Sequence, residues 1–286
     1  MALPTFFVIG APKAGTTSLH TYLDAHPQIQ MSAVKEPRFF GGPDNGIAYP
    51  ADHVASRETY EALFDPAFAV RGESSTDYAT HPRRTGVPAR IKAAVPEARF
   101  VYMVRDPVAR TLSHHRMTTA LLGERRPLEL ALGDLTDRMT PYISPSLYAT
   151  QLELYLEHFP AERVLVVDQA DLQADRAGTL RQIHRFLGVE EEAEAAAGEE
   201  ELLSSGEWRT YPSGYAEFIA RHVAPRFQWV PKGFRRGLRS KVEGVLWKPV
   251  KSELSPQLRE RLQELYAPEA ARLRDLTGKE FATWCV

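Results

Sequence analysis

The sequence predicts an α/β protein built on a doubly wound parallel sheet flanked by helices. The prediction starts from residues 6–9, an unbroken apolar run of β-forming residues that is typical of a strand buried on both faces. A glycine-containing loop follows, and a helical apolar spacing begins at Thr16 and stops at Pro27. Strand and helix patterns then alternate along the chain, which favours a parallel sheet with ligands beyond the carboxyl ends of its strands.

The other elements are expected in the same alternating order. The expected strands lie at 29–32, on an edge of the sheet, then at 68–70, 99–104 and 164–167, with a polar loop at 72–75. The expected helices lie at 56–64, 82–94, 127–138, 147–158, 176–187 and 258–276. Asp106-Pro107 opens one more helix, with an N-cap residue followed by proline at the first position. Because no repeat or linker stands out, we expect residues 1–286 to form a single domain.

The composition is that of an ordinary globular protein. The apolar fraction of 43% is enough for a sizeable core, and the net charge of −2 gives no reason for bulk attraction to nucleic acid or membrane. The single cysteine, Cys285, excludes an intrachain disulfide and a thiolate metal cluster. The N-terminus has no basic region typical of a signal peptide, and no apolar run approaches membrane-spanning length. We therefore expect a soluble, cytoplasmic protein whose oligomeric state stays open.

The loop after the first strand is close to a nucleotide-binding loop. Gly10 and Gly15 have the spacing of the Walker A motif, but Thr16 stands where that motif has its lysine. The lysine lies inside the loop instead, at Lys13. A nucleoside triphosphate needs the Walker lysine on its β- and γ-phosphates. The shifted lysine therefore favours a shorter anion, bound by free backbone N–H groups and the positive end of the helix dipole.

Three segments carry a resemblance to one enzyme family. PKAGTTSL, residues 12–19, resembles the 5′-phosphosulfate loop of sulfotransferases that use 3′-phosphoadenosine 5′-phosphosulfate (PAPS). RDPVARTLS, residues 105–113, resembles the family's second signature, an arginine and a serine eight residues later that hold the 3′-phosphate. KEPRFF, residues 35–40, resembles the Lys/Gln-Glu-x-x-Phe-Phe segment of the glycosaminoglycan and heparan-sulfate branch. The resemblance implies the P-loop-like sulfotransferase fold and includes bacterial relatives of that branch.

The resemblance also implies an activity and a cofactor set. The protein is expected to transfer a sulfuryl group from PAPS to a hydroxyl of a saccharide or small natural product, with an amine as second choice, and to release 3′,5′-bisphosphoadenosine (PAP). Lys13 is the residue expected to stabilise the leaving phosphate, in a role of the oxyanion-hole type. The residues expected to hold the 5′-phosphate, beside Lys13 itself, are Ala14, Gly15, Thr16, Thr17 and Ser18. No metal ion is expected to take part.

The 3′-phosphate contacts are expected from the second signature. Arg105 ends a strand pattern, and seven helical steps from Asp106 bring Ser113 back near the same face. An arginine fork and a hydroxyl that bracket one site suit a dianionic phosphate. Arg209, in the segment SSGEWRTYP, resembles a third contact from a loop that closes over the nucleotide. Residues 227–251 mix aromatic and basic side chains, and either an acceptor contact or a surface connection explains them.

Glu36 is the candidate general base. The resemblance assigns the glutamate of KEPRFF to proton abstraction from the acceptor, and Pro37 places it on a stiff segment. A surface ion pair between Lys35 and Glu36 is the alternative explanation. The rival bases, His114, His115 and Glu73, come second.

Two other functions stay open at this point. Residues 164–168 resemble a Walker B strand with a metal-binding aspartate, which would suit a Mg²⁺-dependent P-loop kinase. The absence of the Gly-Lys-Ser/Thr sequence argues against that function. A non-catalytic binder of 3′-phosphoadenosine nucleotides would keep Lys13, Arg105 and Ser113 and would have no use for Glu36.

Overall fold

The computed structural model describes residues 2–42, 53–191, 209–210, 248–249 and 254–286. The chain divides into two compact units. The first comprises Met1–Thr111, Leu132–Leu202 and Ser255–Val286, and the second comprises Leu112–Ala131 and Leu203–Leu254. The expected single domain stays a prediction.

The first unit contains the sheet. Its strands are β1 (Phe6–Gly10), β2 (Ile29–Met31), β3 (Val70–Ser74), β4 (Arg99–Val104) and β5 (Val164–Asp168). They form a five-stranded sheet in the order β2-β3-β1-β4-β5, and every neighbouring pair is parallel. All five residues of β1 are buried, because β1 lies at the centre of the sheet. The predicted fold class is therefore confirmed.

Nine α-helices are described. They are α1 (Thr16–Asp24), α2 (Arg57–Glu61), α3 (Val87–Ala94), α4 (Pro107–Leu121), α5 (Leu128–Leu132), α6 (Tyr148–Leu156), α7 (Gln169–Ala174), α8 (Arg176–Leu187) and α9 (Pro256–Thr277). The second unit also contains two short antiparallel strands, β6 (Arg209–Thr210) and β7 (Lys248–Pro249). The predicted cap of α4 is confirmed, since the Asp106 carboxylate accepts from the Ala109 N–H at 2.7 Å. No helix in the described ranges has the length and apolarity to span a bilayer.

The largest error of the sequence interpretation is the position of β3. The strand was expected at 68–70, with a polar loop at 72–75, whereas the structure has the strand at Val70–Ser74. Gly72, Glu73 and Ser74 are all buried in it. Polar residues are tolerated there because the neighbouring hydroxyl groups satisfy the Glu73 carboxylate. Tertiary hydrogen bonds thus outweigh the local polarity of the segment.

Several helix boundaries also differ from the expected ones. The helix expected at 127–138 ends at Leu132, because Gly133 has a left-handed φ of 60° and the next residues form side-chain-capped turns. The helix expected at 82–94 begins only at Val87, after Gly86 at φ 66°. The helix expected at 56–64 is confined to Arg57–Glu61, and α7 was missed.

Gly72 lies directly beneath an aromatic ring of the central strand. In the parallel register Gly72 pairs with Phe6, and a Cβ atom built on Gly72 would overlap the Phe6 ring. Phe6 is almost completely buried, so its ring has no open space into which it could move. The close approach of β3 to β1 therefore requires glycine at this position.

We expect Gly72→Ala to destabilise the fold by about 1–3 kcal/mol, the usual cost of overpacking a core. Chemical denaturation of the wild type and the variant measures this loss. In the double variant Phe6→Leu/Gly72→Ala the clash is relieved, so its destabilisation should be smaller than the sum of the two single losses. Additive losses would contradict the assigned contact.

Candidate active site

The loop between β1 and α1 presents backbone donors at a helix N-terminus. Gly15, the N-cap of α1, has a left-handed φ of 90° and no side-chain cap. Lys13 is also left-handed, at φ 73°, and the Ala14 N–H closes the turn onto the Ala11 carbonyl at 3.1 Å. The first residues of α1, Thr16, Thr17 and Ser18, start the helix as predicted. Their N–H groups lie in the first turn, where a helix has no internal acceptors to offer.

Arg105 contacts this loop from the neighbouring strand. It follows the last residue of β4, and its guanidinium donates to the Lys13 carbonyl at 3.2 Å. The carbonyl of Arg105 accepts from the Tyr148 hydroxyl at 2.8 Å. The adjacency of β1 and β4 also brings the Ala11 N–H onto the Met103 carbonyl at 2.6 Å. The two predicted phosphate segments therefore meet through Lys13 and Arg105.

The Lys13 ammonium lies among other positive charges. Burial, followed by the charges of Arg105, Arg110 and Lys35, lowers the pKa of Lys13 from 10.5 to about 8. The neighbouring positive charges, which together with burial make the ammonium form costly, would favour a bound anion. The loop therefore has the electrostatics of an anion site.

Glu36 is attached to the end of β3, the strand beside β1. Its N–H donates to the Ser74 carbonyl at 2.9 Å, and its backbone is left-handed at φ 62°. One carboxylate oxygen lies 3.2 Å from the Lys35 ammonium and 3.1 Å from the Thr76 hydroxyl, and the other contacts the Arg38 guanidinium. The side chain remains 20% exposed. The Lys35–Glu36 ion pair, the alternative explanation of this glutamate, is thus present within a larger network.

The charge state of Glu36 follows from these contacts. Burial works to raise its pKa, but the charges and hydrogen bonds of Lys35 and Arg38 outweigh burial and hold the pKa below the ordinary value. Glu36 is therefore ionised throughout the neutral range. The charge of Lys35 lowers the pKa of Lys13 as well as that of Glu36. The loop and the carboxylate are therefore coupled electrostatically through Lys35.

The rival base Glu73 has a different environment. It is 0% exposed, and its carboxylate accepts hydrogen bonds from three hydroxyl groups, those of Tyr60, Ser75 and Tyr78. Burial raises its pKa to about 7, against the opposite effect of these hydrogen bonds, and the charge of Glu36 adds to the rise. A carboxylate enclosed in this way has no surface on which an acceptor could bind.

The sequence analysis assigned no role to His20, although the structure places it beside the end of β3. It lies on α1, and its Nδ1 is 3.0 Å from the Ser74 hydroxyl. Burial and the charge of Lys35 lower the pKa of His20, against the opposite effect of Asp24. The available signal was its helical spacing, because His20 lies one turn beyond Thr16 on the helix that begins at the loop.

Asp168, the aspartate of the Walker B-like strand, has structural partners for both carboxylate oxygens. One oxygen caps α7 through the Ala170 N–H at 3.1 Å, and the other accepts from the Trp284 indole at 2.9 Å. In the described ranges, no three His, Cys, Asp or Glu side chains come together as a metal-binding group. The geometry of Asp168 thus favours a role in the packing of the C-terminal residues.

The remaining predicted residues belong to the second unit. Ser113, His114 and His115 lie on α4, and the Nε2 of His115 contacts the Arg126 carbonyl at 2.9 Å within that unit. Arg209 begins β6, but its side chain lies outside the described residues, as does the basic aromatic segment apart from β7. The joint hold of Arg105 and Ser113 on one phosphate stays a prediction.

Comparison with known proteins identifies the family. The profile described as "Sulfotransferase family" matches residues 4–193, about two thirds of the sequence, including the loop, the KEPRFF segment and the RDPVARTLS segment. The chain belongs to the sulfotransferase family. The predicted resemblance is therefore confirmed.

Individual relatives agree with this assignment. Over 195 residues the chain is 30% identical to heparan sulfate glucosamine 3-O-sulfotransferase 3B1 of Mus musculus, covering 65% of this chain and 46% of that protein. It is 27% identical over 212 residues to bifunctional heparan sulfate N-deacetylase/N-sulfotransferase 2 of Homo sapiens, covering 65% and 22%. The chain thus spans from about a fifth to about half of the length of these curated relatives.

A solved structure matches over the whole chain. The crystal structure of a sulfotransferase from Alicyclobacillus acidocaldarius superposes with a TM-score of 0.71 at 25% identity, and the match covers 99% of both chains. This likeness supports the family assignment.

Anion binding should change the protonation of Lys13. At pH 8.5 a lysine with a pKa of about 8 is mostly neutral, and a bound phosphate favours the ammonium form. Binding of PAP should therefore take up roughly half a proton or more at pH 8.5, and much less at pH 6.5. Calorimetry in two buffers of different ionisation enthalpy measures the uptake. Lys13→Arg keeps its charge at both pH values and should show none, so equal uptake by both proteins would contradict the assignment to Lys13.

Proposed function

We propose that the protein transfers a sulfuryl group from PAPS to a hydroxyl of an acceptor such as a saccharide or a small natural product, with an amine as second choice. The observation that carries this proposal is the common position of a cationic phosphate loop and an ionised carboxylate. Glu36 is bound to the end of β3, the parallel neighbour of β1, and the charge of Lys35 lowers the pKa of both Glu36 and Lys13. The loop can bind and stabilise a leaving phosphate. The carboxylate can accept the proton that the acceptor must lose.

The donor set fits PAPS as a substrate. The residues proposed to hold its 5′-phosphate are Lys13, Ala14, Gly15, Thr16, Thr17 and Ser18, from the loop and the first turn of α1. Arg105 is proposed to hold the 3′-phosphate, with Ser113 and Arg209 as further contacts. Support comes from the Arg105 guanidinium, which already lies against the loop through the Lys13 carbonyl. Its planar fork suits a dianionic phosphate.

Lys13 and Glu36 would divide the chemistry. The sulfur–oxygen bond to the bridging oxygen breaks, and a new bond forms between sulfur and the acceptor oxygen. Lys13 stabilises the negative charge that develops on the leaving PAP phosphate. Glu36 takes the acceptor's proton. Its lowered pKa makes it a weak base, but the acceptor hydroxyl becomes more acidic as its oxygen bonds to sulfur, so a weak base suffices late in the step. The proposed step uses no metal ion.

The acceptor class is proposed from the relatives. The names of the curated relatives refer to heparan sulfate, its glucosamine residues and both 3-O- and N-sulfation. A first test should therefore combine PAPS with amino-sugar oligosaccharides, unsulfated and sulfated, and with a panel of small alcohols. Each reaction should be run without and with EDTA, and release of PAP measures turnover. Turnover that disappears in EDTA and returns with Mg²⁺ would contradict metal-free transfer.

We expect Arg105→Ala to weaken PAPS binding by on the order of 2–3 kcal/mol, the value of a charge-assisted bidentate contact. Binding of adenosine 5′-phosphosulfate, which lacks the 3′-phosphate, should weaken much less. Calorimetry with both nucleotides measures the difference. Arg185→Ala, which removes an exposed arginine paired with Glu191, is the charge-matched control and should leave both affinities unchanged. Equal losses for both nucleotides would show that Arg105 acts by holding the loop.

We expect Glu36→Gln to lower kcat by roughly 10²–10⁴-fold while PAPS affinity holds, because the amide keeps the shape but accepts no proton. Lys13→Ala should lower both turnover and nucleotide affinity, because it removes charge beside the leaving phosphate. Asp77→Asn is the matched control, since Asp77 also pairs with Arg38, at 3.4 Å. If Asp77→Asn lost as much activity as Glu36→Gln, release of Arg38 would explain both. Wild-type turnover by Glu36→Gln would exclude Glu36 as the base.

A further inference from the structure

Glu73 is a buried carboxylate that the proposed chemistry does not use. Its Oε1 accepts from the Tyr60 hydroxyl at 2.8 Å and from the Tyr78 hydroxyl at 2.9 Å. Its Oε2 accepts from the Ser75 hydroxyl at 3.1 Å. A fully enclosed carboxylate is expensive to maintain, and its three donors offset that cost only while they all point toward it.

Two of these hydroxyl groups have a second hydrogen bond, to the backbone of the KEPRFF segment. The Ser75 hydroxyl accepts from the Arg38 N–H at 3.1 Å, and the Tyr78 hydroxyl accepts from the Phe40 N–H at 3.0 Å. A hydroxyl group has one hydrogen to donate. Because that hydrogen goes to Glu73, the lone pairs of each oxygen are directed at the backbone amides. Glu73 therefore sets the direction of both contacts.

The backbone held by these contacts is in an unfavourable conformation. Glu36 and Arg38 have left-handed φ angles of 62° and 56°, on either side of Pro37. Such angles in residues other than glycine persist only where the surroundings hold them. The N–H groups of Glu36, Arg38 and Phe40 are bound to Ser74, Ser75 and Tyr78. Every second amide of the segment is thus attached to β3 or to the turn after it.

We propose that Glu73 is a positioning residue: it orients the Ser75 and Tyr78 hydroxyls, which hold residues 36–40 so that the Glu36 carboxylate faces the acceptor. This inference rests on the proposed function, because that function assigns the base to Glu36. Glu73 itself touches no reacting atom. Its effect reaches the site only through the two hydroxyls and the amides that they bind.

Tyr60 provides a control within the same cluster. Its hydroxyl donates to the same oxygen of Glu73 as the Tyr78 hydroxyl does, at nearly the same distance. Both tyrosines are buried, so Tyr60→Phe and Tyr78→Phe each remove one oxygen atom from one cluster. In the described part of the chain, the Tyr60 hydroxyl shows no contact with an amide of residues 36–40; the Tyr60 ring stacks on Phe39 instead, which Tyr60→Phe preserves. Only Tyr78→Phe removes a link to the segment.

The experiment compares Tyr78→Phe, Tyr60→Phe and Glu73→Gln in the full chain, with two independent measurements. Hydrogen exchange of the Arg38 and Phe40 amides reports how the segment is held, and kcat together with PAP affinity reports the consequence. Tyr78→Phe should raise exchange at Phe40 and lower kcat by about 10-fold or more, with PAP affinity within about twofold of the wild type. Glu73→Gln should raise exchange at one of the two amides, Arg38 or Phe40, and lower kcat in the same way, because its NH₂ group replaces one carboxylate oxygen and forces the hydroxyl bound there to turn. Tyr60→Phe should leave kcat within about threefold of the wild type.

The outcomes separate this inference from the proposed function. Equal losses of kcat in Tyr60→Phe and Tyr78→Phe would show that Glu73 and its hydroxyl donors only stabilise the fold. That result would overturn the inference. Faster exchange with unchanged kcat would overturn it as well, since the segment would then need no anchoring. A wild type that transfers no sulfate from PAPS to any acceptor would instead overturn the proposed function. Even then, unchanged exchange at Phe40 in Tyr78→Phe would show that the cluster does not hold the segment.

Discussion

Positive charges are gathered beside the loop that follows the central strand, and this like-charge proximity governs the rest of the site. Burial, and then the charges of Arg105, Arg110 and Lys35, lower the pKa of Lys13. Arg110 is itself fully buried, where its guanidinium contacts the Tyr142 carbonyl and the Ser146 hydroxyl. Like charges held together in partial burial destabilise one another, and a bound anion removes that penalty. A bound phosphate, as proposed, would therefore relieve a cost that the loop carries in the free protein.

The sheet makes this arrangement possible. β1 and β4 are parallel neighbours, so the loop after Gly10 and the residue after Val104 emerge at the same edge. The guanidinium of Arg105 then satisfies the carbonyl of Lys13, whose backbone is left-handed. The backbone shape of the loop and the position of its charges are therefore set by the same contact.

The sequence was most informative where local chemistry determines the structure. Gly15 at the start of a helix predicts the loop, because the loop conformation depends on the backbone freedom of this glycine and on the exposed N–H groups that follow it. The apolar run at 99–104 likewise predicts both ends of β4 correctly. It was least informative where contacts between residues far apart in the sequence determine the structure. Glu73 lies on a strand only because hydroxyls from other segments surround it, and no local pattern predicts those partners. The helical spacing of His20 from Thr16 was visible in the sequence, but its contact with the Ser74 hydroxyl exists only in the folded chain.

Two glutamates in one network illustrate how environment separates chemical roles. Glu36 is partly exposed beside two cations, which hold its pKa below the ordinary value, whereas burial raises the pKa of Glu73 to about 7. Their charges also interact, so ionised Glu36 makes ionisation of Glu73 harder. By pKa alone Glu73 would be the better base near neutrality. Accessibility favours Glu36 instead, because a base must contact the group that it deprotonates. Of the two glutamates, only Glu36 has exposed surface. On the proposed assignment, the stronger base orients hydroxyl groups in the interior, and the weaker one lies at the site.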